Sequence, residues 1–86
     1  MALVACTATK IYLPTANNVN KRTTATLAEL QQGHDIFSKS CKRCHGLKDP
    51  ASRTPEQWTK VLDKMAPKAK LTAEQKDLVY KYLVNY

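Results

Sequence analysis

Three short stretches of the chain carry the same helix-start signature, in which a threonine is followed three residues later by a glutamate or a glutamine. In such a capping box the threonine hydroxyl and the later side chain each accept a hydrogen bond from the other residue's backbone amide. The three boxes are Thr26–Glu29, Thr54–Gln57 and Thr72–Gln75. They predict the starts of three helices. Because no stretch carries a strand signal, the sequence predicts an all-α fold.

Apolar residues at spacings of three and four extend each start into an amphipathic helix. The first helix is predicted from Ala25 to Ser40, and the second is expected to stop at Pro67, because the residue before a proline is disfavoured in helical conformation. The third helix is predicted to begin at Thr72. The predicted inner faces are Leu27, Leu30, His34, Phe37 and Cys41 on the first helix, Trp58, Val61, Leu62 and Met65 on the second, and Leu71, Gln75, Leu78, Val79, Tyr82 and Leu83 on the third.

With 86 residues, the chain is long enough for one small domain and too short for a multi-domain enzyme. A domain of this size buries only about 60% of its unfolded surface, so a metal, a disulfide or a cofactor is expected to help hold it together. No apolar run approaches the roughly 18 residues of a membrane-spanning helix. Residues 1–24 are rich in Thr, Ala, Asn and Lys, lack acidic side chains and show no sustained apolar period, and we interpret them as a flexible tether that precedes a domain over residues 25–86.

The most specific motif lies between the first two predicted helices. Its sequence, Cys41-Lys42-Arg43-Cys44-His45, fits the C-x-x-C-H pattern of covalent haem attachment. The spacing suits this chemistry, since two thiols add to the two vinyl groups of the porphyrin and the adjacent histidine becomes the proximal ligand of the iron. One covalently bound haem c would also supply the missing support for a small core. A chain without its haem is expected to be loosely folded.

From about Leu27 to Tyr86 the chain resembles the small class I c-type cytochromes. Beside the C-x-x-C-H motif, the matching features are Gly33, Phe37, Met65 and the Tyr80–Leu83 end of the last helix. The resemblance implies a cytochrome c fold of three main helices around one haem. It also implies that the first and last helices cross closely, with Gly33 admitting Tyr82.

The resemblance further assigns roles around the haem. It implies that the Met65 sulfur is the second axial ligand of the iron and that the Pro50 carbonyl accepts a hydrogen bond from His45. The alternative for Pro50 is a plain turn. The alternative for Met65 is a core residue, in which case the sixth position of the iron would be open or taken by His34, Lys64 or Lys68.

Two further residues are candidates for contact with the haem. Arg53 suits a bidentate pair with a haem propionate, although an exposed loop arginine is the alternative. Trp58 is interpreted as packing in the core or at the haem edge, with participation in electron transfer as the alternative.

The remaining cysteine lies near the start of the chain. Leu3-Val4-Ala5-Cys6 resembles the lipobox of bacterial lipoproteins, in which the cysteine carries the lipid. If so, Cys6 anchors the domain to a membrane; otherwise it is a lone cysteine in the tether. In the c-type cytochromes haem attachment takes place outside the bacterial cytoplasm, so the resemblance implies a periplasmic or exported protein, possessing a membrane anchor if Cys6 is acylated.

These observations lead to one expected function, a monomeric one-electron carrier that is not an enzyme. The chain has a net charge of +7, and its lysines cluster around the motif and Met65, which predicts redox partners with acidic docking surfaces. One alternative is haem-based sensing of a small ligand at a labile sixth site. Another alternative is a zinc-binding or nucleic-acid-binding module. Zinc binding is disfavoured because Cys41, Cys44 and His45 are crowded together and no second pair of ligands is spaced apart from them. Nucleic acid is not expected as a partner, because aromatic residues do not alternate with the basic ones as a stacking surface requires. A thioredoxin-like reading lacks its βαβ context.

Overall fold

A computed structural model of the chain describes residues 11–40 and 49–86. These residues form three α-helices, α1 (Leu27–Ser40), α2 (Pro55–Ala69) and α3 (Ala73–Val84), and two 3₁₀ turns at Ala16–Asn18 and Pro50–Ser52. No strand occurs in these two ranges, so the predicted all-α class is confirmed for them. In the same ranges, no helix has the length and apolar character needed to cross a membrane.

All three predicted capping boxes are present, each with both of its hydrogen bonds: Thr26–Glu29, Thr54–Gln57 and Thr72–Gln75. In the first, the Thr26 amide donates to the Glu29 carboxylate over 2.9 Å, and the Glu29 amide donates to the Thr26 hydroxyl over 3.1 Å. Pro55 opens α2, where its missing amide hydrogen leaves no partner unsatisfied. Because Thr26 is the cap, α1 begins at Leu27 rather than at the predicted Ala25.

The predicted stop of the second helix at Pro67 is wrong. The helix α2 continues through Pro67 to Ala69 and is closed by a Schellman motif beyond the proline. The Lys70 amide donates to the Pro67 carbonyl over 3.2 Å, and the Leu71 amide donates to the Ala66 carbonyl over 2.9 Å. Lys70 takes the left-handed conformation that this motif requires, with φ at 59°. The bonds that close the helix therefore offset the local preference against helix before a proline.

The helices α1 and α3 cross at Gly33. A Cβ atom at this position would come within 2.8 Å of the Tyr82 Cβ atom and closer still to the Leu78 carbonyl oxygen. Only a glycine allows the two backbones to approach this far. The close crossing of the first and last helices at Gly33 and Tyr82 is thus confirmed.

The core lies where α1 and α2 pack against α3. Its buried cluster, in which each residue is at most 3% exposed, consists of Phe37, Trp58, Leu62, Val79, Tyr82, Leu83 and Val84. The Phe37 ring meets the Trp58 ring edge-on, with centroids 6.2 Å apart, and so joins α1 to α2. The predicted inner face of α2 is divided, because Trp58 and Leu62 are buried whereas Val61 and Met65 are half-buried at the edge of the cluster.

Residues 11–23, which we call the N-terminal strap, lie against the C-terminal end of α3. The Tyr12 ring stacks on the Tyr82 ring with centroids 4.4 Å apart. Asn85, which is fully buried, accepts hydrogen bonds from the backbone amides of Arg22 and Thr23. The strap belongs to the range that the sequence predicted to be a flexible tether, but these contacts place it on the domain. Residues 1–10 of the predicted tether lie outside the described residues.

Candidate functional site

The described residues flank the C-x-x-C-H motif on both sides. The helix α1 ends at Ser40, and the next described turn is Pro50–Ser52. The predicted haem attachment residues Cys41 and Cys44, the predicted iron ligand His45 and the predicted lipid site Cys6 lie outside the described residues. Their roles stay predictions.

Pro50 and Trp58 form one buried unit beside the motif. Both side chains are less than 2% exposed, and the Trp58 indole Nε1–H donates to the Pro50 carbonyl over 2.9 Å. The carbonyl expected to accept a bond from His45 therefore already has one donor, and a second would use its other lone pair. Trp58 packs in the core, as one of its two predicted interpretations states. This bond fixes the 3₁₀ turn after the motif to the first turn of α2.

Arg53 follows that turn and lies over the Trp58 ring, with its guanidinium carbon 5.1 Å from the ring centroid. Beside it is an open depression of about 570 Å³, which is lined by Ser52, Arg53, Gln57, Lys60 and Val61. Two of these side chains are cationic, and none of the five is acidic. The depression therefore suits a carboxylate, the chemistry predicted for Arg53.

Met65 lies one helical turn after Val61 on the same side of α2. Both side chains are half-buried and pack against the edge of the core cluster. Ile36 on α1 and Leu71 after α2 share this partial burial. Since large apolar side chains are stabilised by leaving water, the partly covered residues Val61 and Met65 form a surface on which a further apolar group would be favourable.

These residues fit a haem by their chemistry. Met65 provides a soft thioether on a partly covered apolar surface, and Arg53 and Lys60 provide cations for carboxylates at the depression next to Val61. A haem needs an apolar wall, a ligand for its iron and cations for its propionates, and residue types of each kind are present on α2 and at the end of the turn before it. The ligation by Met65 and the contact by Arg53 nevertheless stay predictions, because His45 lies outside the described residues.

His34, the alternative ligand on α1, is mostly covered by its own surroundings. Its side chain is 17% exposed, its Nδ1 lies 3.0 Å from an Asp35 carboxylate oxygen, and its ring meets the Tyr82 ring edge-on at 5.5 Å. These contacts agree with the alternative in which His34 is a helix residue beside Gly33. In the part of the chain that the structure describes, no three His, Cys, Asp or Glu side chains are grouped in a way that could hold a metal ion.

Sequence reasoning missed Tyr12 and Asn85, the two residues that fasten the strap. A signal for Tyr12 was present, since Ile11, Tyr12 and Leu13 form a short apolar run between polar stretches. No comparable signal marks Asn85, because asparagine is ordinarily an exposed residue. Comparisons of the chain with protein-family models, with curated proteins and with solved structures found no match.

Proposed function

We propose that this chain is a monohaem c-type cytochrome that carries single electrons between redox partners and is not itself an enzyme. The observation that carries the proposal is the sequence Cys41-Lys42-Arg43-Cys44-His45, which has the spacing of a covalent haem attachment site. The chemistry supplied by a bound haem is the gain and loss of one electron at its iron, with no substrate bond made or broken.

Three structural observations support this proposal. The helices α1 and α3 cross at Gly33 as the resemblance to class I c-type cytochromes implies. The motif directly follows the end of α1, and α2 presents Met65 on a partly covered apolar surface. A depression lined by Arg53 and Lys60 suits carboxylates. The finer fold, a cytochrome c fold around one haem, is part of the proposal.

The residues of the chain would divide the work as follows. Cys41 and Cys44 would fix the group covalently, while His45 and Met65 would bind the iron. A thioether ligand favours the ferrous form and so a relatively high reduction potential. Arg53 would neutralise a propionate, and the bonded pair of Trp58 and Pro50 would hold the turn after the motif in place. Val61 would exclude water beside Met65.

The charges on α2 support partners with acidic docking surfaces. Lys60, Lys64 and Lys68 are exposed at successive spacings of four residues, and among the described residues no carboxylate pairs with them. Both lysines of α3 are paired with carboxylates: Lys76 with Asp63, and Lys81 with Glu29 and Asp77. The helix α2 is therefore more strongly positive than α3. A row of unpaired cations attracts an acidic partner at long range and weakens with salt.

A periplasmic location, and attachment to a membrane through an acylated Cys6, belong to the same proposal. Only residues 7–10 separate Cys6 from the strap. Four extended residues span at most about 14 Å. An anchor at Cys6 would therefore hold the haem domain close to the membrane surface rather than on a long tether.

The proposal is tested by a visible spectrum of the protein produced together with a haem-maturation system. The expected result is a sharp reduced spectrum that survives extraction with acidified acetone, as a covalent haem requires. Stoichiometric zinc without covalent haem would contradict the proposal. Covalent haem that binds carbon monoxide readily in its ferrous form would instead favour the ligand-sensing alternative, since it would show a labile sixth site.

The role of Met65 needs its own variant. Met65→Ala is expected to abolish the weak far-red band that a sulfur ligand gives the ferric form and to lower the reduction potential. Val61→Ala is the matched control, because Val61 is equally half-buried one turn earlier on α2 but offers no donor atom. If both variants kept the band, Met65 would not be the ligand.

A further inference from the structure

The three capping boxes differ in one chemical respect. The boxes of α2 and α3 close with the amide side chains of Gln57 and Gln75, which carry no charge at any pH, whereas the box of α1 closes with the carboxylate of Glu29. An ionised acceptor makes a stronger hydrogen bond than a neutral one, and the positive end of a helix dipole favours it further. Of the three boxes, that of α1 therefore contains the titratable group.

The two oxygens of the Glu29 carboxylate have different partners. Oε1 accepts the bond from the Thr26 amide over 2.9 Å and so closes the box, while Oε2 lies 3.0 Å from the Lys81 Nζ of α3. The side chains are partly covered, with 35% of Glu29 and 23% of Lys81 exposed, so water screens this pair less than a fully exposed one. One carboxylate thus both caps α1 and connects its first turn to α3.

The charges around Glu29 come mainly from α3. Lys81 is shared with a second carboxylate, that of Asp77, at 3.2 Å. The strap has no group that titrates in acid, and its cations are Lys21 and Arg22. The remaining charged or acid-titrating residues of α1 and α3 are His34, Asp35, Lys39, Glu74 and Lys76. Among the described residues, Lys81 is the cation that pairs with Glu29.

These contacts make the ionised form of Glu29 the favoured one. They hold the pKa of Glu29 below its ordinary value of 4.5, because first the bond from the Thr26 amide and then the bond from Lys81 stabilise the carboxylate. The folded chain therefore binds this proton less tightly than the unfolded chain. The stability that Glu29 contributes is complete well above pH 4.5 and is lost as the pH falls through this value and below it.

We infer that Glu29 is an acid-sensitive latch, which holds the first turn of α1 on α3 near neutral pH and releases it in acid. A protonated Glu29 is a neutral acceptor like Gln57 or Gln75, so the box remains in a weaker form while the ion pair with Lys81 is lost. The inference goes beyond the proposed function and does not depend on it, because each contact lies between described residues of the chain.

The release is local. The helix α1 has 14 residues, and a rise of 1.5 Å per residue places its last residue, Ser40, about 20 Å from its start. The crossing at Gly33 lies between the two ends and is held by close backbone packing that has no titratable part. Opening in acid is therefore expected at the strap end of α1 and not at the end beside the motif.

The test is hydrogen exchange of single backbone amides by NMR, between pH 7 and pH 3.5, in the full chain produced with a haem-maturation system. Each helix offers an equivalent probe, the amide that donates to the carbonyl of its capping threonine over 2.9–3.0 Å. These amides belong to Leu30, Trp58 and Lys76. After correction for the intrinsic effect of pH on exchange, the protection of the Leu30 amide should fall about threefold more than that of the other two. Equal changes at the three amides would overturn the inference.

Glu29→Gln gives α1 the same kind of box that α2 and α3 have. The Leu30 amide of this variant should be about threefold less protected than in the unaltered chain at pH 7 and equally protected at pH 3.5, so its extra pH dependence disappears. The matched control is Asp35→Asn, which removes another carboxylate from α1, one that pairs with His34 instead of α3. If Asp35→Asn removed the pH dependence as well, Glu29 would not be the latch.

Lys81→Gln separates the ion pair from the cap. This variant keeps the carboxylate and the box of α1 but removes the cation of α3, so the pH dependence of the Leu30 amide should become smaller. An unchanged pH dependence would contradict the connection to α3. The visible spectrum tests the proposed function separately, so either idea can fail without the other.

Discussion

Tyr12 and Tyr82 are joined by stacked rings and by two hydrogen bonds. Their rings lie 4.4 Å apart at an angle of 16°, the Tyr82 hydroxyl donates to the Tyr12 carbonyl over 2.7 Å, and the Tyr12 hydroxyl donates to the Tyr82 carbonyl. The two residues are 70 positions apart in the chain. The pair therefore connects the strap to α3 through groups that can act as donors only while both hydroxyls keep their protons.

Stability should fall at alkaline pH because of this pair. Burial raises the pKa of Tyr82 above its usual value of 10.0, and burial likewise raises the pKa of Tyr12, although Arg22 lowers it by a smaller amount. Below pH 10 both tyrosines are protonated in the folded and the unfolded chain, so their contribution is complete. Above pH 10 the unfolded chain releases protons that the folded chain retains. The free energy of unfolding should then decrease by at most about 1.4 kcal/mol per pH unit for each tyrosine.

Urea unfolding between pH 8 and pH 11 measures this effect. The Tyr12→Phe variant should show a shallower decrease above pH 10, because one of the two coupled groups no longer titrates, and it should be less stable than the unaltered chain by about 1 kcal/mol at pH 8. An identical pH profile for the two proteins would show that Tyr12 does not contribute to the alkaline loss.

Gly33→Ala should disrupt the crossing of α1 and α3. The added Cβ atom would come within 2.8 Å of the Tyr82 Cβ atom and would also collide with the backbone at Leu78, so the helices would have to separate. The gain in helix propensity is about 1 kcal/mol, whereas overpacking of this kind costs about 1–3 kcal/mol or more. Because the clash with the Leu78 backbone cannot be relieved by rotating a side chain, the upper end of that cost applies, and the free energy of unfolding is expected to fall by about 2 kcal/mol in urea titrations.

The control for this substitution is Gln32→Ala, one position earlier on the exposed side of α1. It should leave the free energy of unfolding within about 0.5 kcal/mol. A Gly33→Ala variant as stable as Gln32→Ala would mean that α1 and α3 do not approach each other this closely.

The helix starts could be predicted because the information that fixes them is local. A capping box such as Thr72–Gln75 needs two side chains three residues apart, and both are visible in the sequence. The close approach at Gly33 could also be expected, since a glycine within a helix needs a packing reason. The end of α2 could not, because it depends on bonds formed by Lys70 and Leu71 beyond the proline rather than on Pro67 alone.

The candidate site was predictable only in part. The C-x-x-C-H motif is visible in the sequence, and so are Met65 and Arg53 as possible partners of a haem. The donor that already occupies the Pro50 carbonyl could not be foreseen, because the bond from Trp58 arises from the fold of the 3₁₀ turn onto α2. The strap was hidden for a similar reason: its polar composition resembles a tether, while its contacts depend on the other end of the chain.

Trp58→Phe should destabilise the turn after the motif. The substitution keeps an aromatic ring in the core but removes the indole donor, and so leaves the buried Pro50 carbonyl without that partner. A loss of about 2 kcal/mol in the free energy of unfolding is expected, since an unsatisfied buried acceptor costs about 1–3 kcal/mol. The exposed neighbour provides the comparison: Thr59→Ala should cost no more than about 0.5 kcal/mol. Similar losses for the two variants in urea titrations would indicate that the bond contributes little.

Lys70→Gly should stabilise the chain. Lys70 has a φ of 59° in the Schellman motif that closes α2, and its side chain is exposed, so its main effect on stability is the strain of a left-handed backbone in a residue with a Cβ atom. That strain is about 1–2 kcal/mol, and the greater backbone freedom of glycine in the unfolded chain takes back part of the gain. A net increase of about 0.5–1 kcal/mol in the free energy of unfolding is therefore expected. Lys70→Ala removes the same charge but keeps the Cβ atom, and it should leave stability nearly unchanged. If alanine stabilised the chain as much as glycine, the cause would be the lost charge and not the backbone conformation.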